Sequence, residues 1–159
     1  MSESPRSTGI DPRSPRFGAS ITGILLLVVL FLALAGAATA ALTLLTAIAA
    51  LFGWGAFAGV RRHPYGLLFK AAIRPRLAPP AEIEAAGPPT FAQGVGFAVT
   101  AAGVILGLFG VPYAVGIAAA LAFVAAFLNS VFGYCIGCQL YVLLVRVGFV
   151  HVPEAARAQ

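Results

Sequence analysis

The stretch FGASITGILLLVVLFLALAGAATAALTLLTAIAALFGWGAFAGV, residues 17–60, runs for 44 residues without one charged side chain. A helix needs only about 20 apolar residues to cross the hydrocarbon of a bilayer, so this run is too long for one crossing and must fold back. A second uncharged run, residues 85–145, has 61 residues and carries the same implication. The charged residues are confined to three islands, 1–16, 61–84 and 146–159. Such a distribution predicts an all-α integral membrane protein.

Composition agrees with that reading. The chain is 60% hydrophobic and 9% charged, whereas a soluble domain usually carries about 25% charged residues. With 159 residues there is room for a single membrane domain, here residues 17–148. The net charge of +5 comes from basic residues beside the apolar runs, which is the positive-inside pattern of membrane topology rather than a nucleic-acid surface. Arg13 and Arg16 before an apolar run, with Ala33-Leu34-Ala35 after it, also have the outline of a cleavable leader. The second apolar run that follows almost at once favours a retained helix.

Four spans are expected, at about 17–35, 41–60, 91–109 and 113–132, arranged as two hairpins. Residues 1–16 read as a disordered or surface tail, and 149–159 as a C-terminal tail. Residues 64–74 read as an interfacial segment, with Tyr65, Leu67, Leu68, Phe69 and Ile73 toward the bilayer and Lys70 and Arg74 at the headgroups. A proline-rich connector leads to the third span. Residues 134–147 are too short for a fifth span, because 14 helical residues cover roughly 21 Å of an apolar core roughly 30 Å thick, so a second interfacial helix is expected there. The distribution of basic residues puts both termini and the middle loop on the cytoplasmic side. Gly55/Gly59 and Gly103/Gly107 suit close helix packing within one protomer. They leave the oligomeric state open.

The motif with chemical content is Gly133-Tyr134-Cys135-Ile136-Gly137-Cys138-Gln139. A CxxC pair brings two sulfurs within reach of one another, and a helix beginning near Cys135 offers free N–H groups to a thiolate there. On that order Cys135 is the attacking thiol and Cys138 the resolving one. The bland alternative is two small apolar residues stacked on one helix face. No cation lies near the pair in sequence, so any activating charge must come from folding, for instance from Arg61, Arg62 or His63. His63 otherwise reads as a headgroup contact, and Asn129 and Ser130 as interhelical hydrogen-bonding groups. His63, Asn129 and Gln139 are therefore supporting residues, while Arg61, Arg62, Lys70 and Arg74 are expected to contact lipid or a partner.

Other chemistry finds no footing in the sequence. His63 and His151 lack the spacing to complete a zinc site with the cysteines, and no metal or cofactor is expected. No Asp, Glu, Lys, Arg or His falls inside an expected span, which argues against proton relays and ion-coupled transport. There is no phosphate loop and no hydrolase triad, and whether the chain is an enzyme stays open.

Taken together, Ile10-Asp11-Pro12-Arg13, His63-Pro64-Tyr65-Gly66-Leu67-Leu68-Phe69, Arg74-Pro75, Pro89-x-Phe91-Ala92-Gln93-Gly94 and Phe127-Leu128-Asn129 leading to Phe132-Gly133-x-Cys135-x-Gly137-Cys138 resemble the bacterial membrane proteins grouped as domain of unknown function 4395. The resemblance covers nearly the whole chain and implies a bacterial inner-membrane location. It departs at Ala85-Ala86-Gly87, where a more charged approach to the third span is expected. Genes of that family often neighbour those of thioredoxin-like proteins and sulfurtransferases, which implies a thiol or sulfur partner. Residues 129–141 are also similar to the membrane segment attached to some rhodanese-type sulfurtransferases.

The leading expectation is thiol-disulfide or persulfide exchange through Cys135 and Cys138 at the cytoplasmic face, with a soluble thioredoxin-like or sulfurtransferase partner. The alternatives are a non-catalytic accessory or scaffold subunit that docks a partner or anionic lipid, and a component of a small-solute permease.

Overall fold

The computed structural model describes residues 9–80 and 82–149; the expectations for residues 1–8 and 150–159, His151 among them, lie outside it. The described residues form six α-helices: α1 Arg13–Leu34, α2 Ala38–Ala58, α3 Pro64–Leu68, α4 Gly87–Leu108, α5 Ala114–Phe132 and α6 Ile136–Val147. A tight 3-10 turn, Val60–Arg62, leads into α3, and a wider π turn, Phe69–Ile73, and a second 3-10 turn, Arg74–Arg76, continue it.

Helices α1, α2, α4 and α5 have 22, 21, 22 and 19 residues and are long and apolar enough to cross a membrane. At about 1.5 Å per residue each matches an apolar core about 30 Å thick. Their outward side chains are apolar too: Phe31 is 70% exposed, Leu121 60% and Phe109 82%, a surface suited to lipid and not to water. These features are those of a multi-pass membrane protein.

Helix α1 packs most extensively on α5, and α2 on α4. Glycine supplies the close approaches. A Cβ on Gly53 would lie 3.2 Å from the Phe97 ring, and one on Gly96 would lie 2.6 Å from the Phe52 ring, so these residues are level, and with Gln93 against Gly55 and Leu42 against Gly107 α2 and α4 run antiparallel. A Cβ on Gly103 would fall on the Ala118 methyl, which locks α4 against α5. Leu26, Val29, Leu45, Ile48 and Ala119 fill the centre with almost no exposure. Small residues on α5 let four helices meet there at van der Waals distance, the main attraction available between helices in lipid.

This antiparallel packing gathers the described charged residues at one end of the bundle. The opposite end, around residues 35–37 and 109–113, carries none.

Helix boundaries differ from the apolar pattern in an instructive way. Helix α1 begins at Arg13, because the Asp11 carboxylate accepts the Arg13 N–H at 3.0 Å and starts the helix in polar sequence. Helix α4 begins at Gly87, with Pro88 and Pro89 in its first turn, where a missing N–H costs nothing.

Residues 64–74 also differ. Leu67 and Leu68 are exposed, but Phe69 is 2% exposed and packs on Phe17 with ring centroids 5.8 Å apart. Tyr65 likewise turns inward, toward Gly18 of α1. The expected outward face of this segment is therefore only partly outward: Tyr65 and Phe69, four residues apart, share the helical face that packs on α1, while Leu67 and Leu68 point away from it. Backbone bonds pair Ile10 with Glu84 at 2.8 and 3.0 Å, and Arg13 Nη2 donates to the Ala78 carbonyl at 3.0 Å. The two segments thereby close over the charged end as a strap.

Candidate functional site

Helix α5 ends because Gly133 takes a left-handed φ of 68° and its N–H turns back to the Asn129 carbonyl at 3.1 Å. Only glycine adopts that conformation without strain. Cys135 follows in extended geometry and caps α6, where its Sγ accepts the Cys138 N–H at 3.2 Å. The two cysteines form a disulfide with Cα atoms 5.2 Å apart, and no described cysteine is free. The expected attacking thiol therefore belongs to the reduced form of the pair. Both cysteines are half-buried.

Gly137 holds the turn onto the bundle. A Cβ there would approach the Ala92 Cα at 2.6 Å, so α6 rests directly on the backbone of α4. Further along, Tyr141 packs on Phe91 with centroids 5.6 Å apart and brings its hydroxyl next to Gly87. Helix α6 thus runs antiparallel to the first turns of α4. At 12 residues it is about 18 Å long, short of a crossing.

The cysteine pair faces a cavity of about 780 Å³ at the charged end. His63, Asn129 and Gln139 line it as well, so the residues singled out in sequence around the cysteines meet in one space. Arg61, Lys70 and Arg74 also reach it. Arg62 does not; its carbonyl receives the Trp54 indole N–H at 3.2 Å.

His63 is buried and caps α3. Its Nε2 lies 3.1 Å from the Leu51 carbonyl, and its Nδ1 accepts the Tyr65 N–H at 3.3 Å. This pairing requires a neutral ring with its proton on Nε2. Burial pushes the imidazole below its ordinary pKa, and the Leu51 carbonyl opposes that only in part. Pro64 at the first helical position fits, since it needs no N–H partner there.

Two residues that sequence reasoning passed over also stand here. Arg16 Nη2 donates to the Val131 carbonyl at 3.4 Å, and its guanidinium carbon lies 3.5 Å from where a Gly133 Cβ would be. It is a further cation that folding brings to the cysteine loop; of the expected Arg61, Arg62 and His63, Arg61 and His63 line the same cavity. Gln93 lines the cavity from α4, with its side chain held against Gly55 of α2. Arg16 has no local sequence signal, and Gln93 stands in sequence only within the motif around Phe91; each is placed here by contacts between helices distant in sequence.

Asp11 is buried at the rim and bound twice by Arg13, at 3.0 Å through Nε and 2.9 Å through Nη2. The Arg13 guanidinium holds its carboxyl below the usual carboxylate range. Among the described residues, no three His, Cys, Asp or Glu side chains come together to hold a metal ion.

Residues 10–146 match the family described as a domain of unknown function, DUF4395. The chain belongs to the DUF4395 family. No curated protein and no solved structure matches it. The DUF4395 match opens at Ile10, in the strap, and closes at Arg146, in the last turn of α6. Both cysteines and all the cavity-lining residues named above fall within it.

Proposed function

We propose that the Cys135–Cys138 pair exchanges two electrons with a soluble thioredoxin-like partner at the cytoplasmic face of a bacterial inner membrane. The observation that carries this reading is the hydrogen bond from the Cys138 N–H to Cys135 Sγ at the first turn of α6. Free N–H groups at a helix start favour a thiolate, so the reduced pair has its nucleophile at Cys135. Arg16 beside Gly133 adds positive charge on the same side.

The exchange runs in two displacements. A partner thiolate attacks Cys135 Sγ, the Cys135–Cys138 bond breaks, and Cys138 leaves with the electron pair and takes a proton from water. The partner's second thiolate then attacks its own sulfur in the mixed disulfide and frees Cys135. The partner is oxidised by two electrons and the pair is reduced by two; the reverse sequence oxidises the pair.

The topology rests on the positive-inside rule. The described Arg and Lys residues gather at the end that bears the cysteines, and under that rule this supports a cytoplasmic position for that end. The spans then form two hairpins in the bilayer, with residues 64–74 and α6 at the interface.

Replacing Cys138 by Ser removes the resolving thiol. The expected result is a covalent adduct between the partner and Cys135 that reductant releases and that is absent when Cys135 is also replaced. A persulfide donated by a sulfurtransferase is distinguished by an added mass of one sulfur atom on Cys135. Absence of both products would remove the reading.

A docking subunit is the competing reading, supported by the exposure of Arg61, Arg62, Lys70 and Arg74 at this same end. It expects the Cys135→Ala/Cys138→Ala variant to behave as the parent, while charge reversal at Arg61 or Arg74 abolishes partner binding.

A further inference from the structure

We infer that the cavity beneath the cysteine pair is a binding site for an anionic lipid, with the charged head at the mouth and one chain in the shaft. This inference is independent of the redox reading, since it requires no chemistry at sulfur.

Depth is the first observation. Thr22 lies nine residues into α1, Val99 twelve into α4, and Leu121 eleven before the end of α5, and all three line the cavity. At about 1.5 Å per residue these positions lie roughly 14–18 Å along the helices from their ends at the charged face. A hydrated small anion has no use for so long a shaft.

The lining is the second. Apart from the Thr22 hydroxyl, the deep part is apolar, formed by Phe52, Val99, Leu121, Ala122 and Ala125. Leu121 lines the cavity and is 60% exposed, so the apolar lining continues to the surface of α5. Water confined along such a wall lacks polar partners, and an acyl chain does not need them.

Charge at the mouth is the third. Arg16, Arg61, Lys70 and Arg74 line the cavity, against the carboxylates of Asp11 and Glu84. Asp11 is already taken by Arg13 at 2.9 Å. The excess is cationic and favours a phosphate or carboxylate head over a zwitterionic or neutral one. The volume of about 780 Å³ lies in the usual range of about 300–1,000 Å³ for ligand sites.

The test places the full chain in nanodiscs of phosphatidylcholine and titrates three probes: a long-chain alkyl phosphate, the alkyl phosphocholine of equal chain length, and inorganic phosphate. We expect saturable binding of one alkyl phosphate per chain, at least about tenfold tighter than the phosphocholine. The double change Arg16→Gln/Arg74→Gln removes that preference. Ala125→Phe fills the shaft from α5 and Val99→Phe fills it from α4, and each lowers alkyl phosphate affinity at least about tenfold. Using both variants guards against one that fails to fold. Equal affinity for the two amphiphiles, competition by inorganic phosphate at the same concentration as the alkyl phosphate, or unchanged affinity in a folded shaft variant would overturn the inference.

Discussion

Cys135 Sγ accepts the backbone N–H of Cys138 at 3.2 Å, so the first sulfur of the pair, and not the second, occupies the N-cap of α6. The two thiols of the reduced pair are therefore unequal. In single-cysteine variants, Cys135 in the Cys138→Ser protein is expected to alkylate about tenfold faster at neutral pH than Cys138 in the Cys135→Ser protein. Stopped-flow labelling of the reduced variants in membranes measures both rates. Equal rates would mean that the helix terminus does not act on Cys135.

Arg16 brings a supplementary charge to that loop, its guanidinium carbon resting 3.5 Å from the position of a Gly133 Cβ. Replacing it by Gln is expected to slow alkylation of reduced Cys135 by about threefold to tenfold, and Arg16→Lys is expected to restore part of the rate. The same rate measured in high salt separates an electrostatic effect from a packing one, since an exposed cation acts less strongly when screened.

Two glycine substitutions should act in opposite ways. Gly137→Val places atoms where the Ala92 backbone lies 2.6 Å from a Cβ, forcing α6 off α4; a loss of about 1–3 kcal/mol is expected. Gly116 in α5 has nothing within 4 Å of a Cβ, and Gly116→Ala is expected to stabilise the helix by about 0.5–1 kcal/mol. Thermal unfolding of both variants in the same detergent compares them directly.

His63 makes stability depend on pH. Burial depresses its pKa below the ordinary 6.5, so the folded chain binds fewer protons than the unfolded chain just below that value. The stabilisation is complete above pH 6.5 and is lost as pH falls below it, until the folded imidazole itself protonates. Protonation also removes the lone pair on Nδ1 that receives the Tyr65 N–H. The thermal midpoint is expected to fall between pH 7.5 and 5.5, with a shallower fall in His63→Asn, which keeps a helix cap. Asp11 does not confuse that window. Its carboxyl is held below the ordinary 3.8, so its contribution is present above that value and is lost only as pH falls through its lowered folded pKa.

The four long helices were legible because charge and apolar length report directly on the bilayer, and residues 17–60 and 85–145 are too long to be read otherwise. Their ends were less legible. Asp11 starts α1 through a side-chain bond, and Pro88 and Pro89 fit within the first turn of α4, whereas hydropathy responds only to the apolar residues that follow. Phe69 is grouped with Leu67 and Leu68 by hydropathy alone, although its four-residue spacing from Tyr65 sets it on the other face, the one that meets Phe17 and α1. The pairing of α1 with α5 and of α2 with α4 was hidden for another reason. Small residues occur on every span, and only their mutual register, such as Gly53 with Phe97, selects partners.

At the site, CxxC stood out as a motif, and His63, Asn129 and Gln139 were picked out beside it. The cavity that joins them needs α1, α4 and α5 in place. Arg16 was missed for that reason: it lies far from Cys135 in sequence and reaches the loop through the α1–α5 contact.

The most direct measurement is a redox titration of the Cys135–Cys138 pair in sealed inverted vesicles, equilibrated with a membrane-impermeant thiol-disulfide buffer and quenched by alkylation. The account predicts a reversible two-electron transition in the folded protein, reached from the cytoplasmic face and lost in the Cys135→Ser and Cys138→Ser variants. A pair that stays unchanged across the buffer range until detergent unfolds the chain would contradict it.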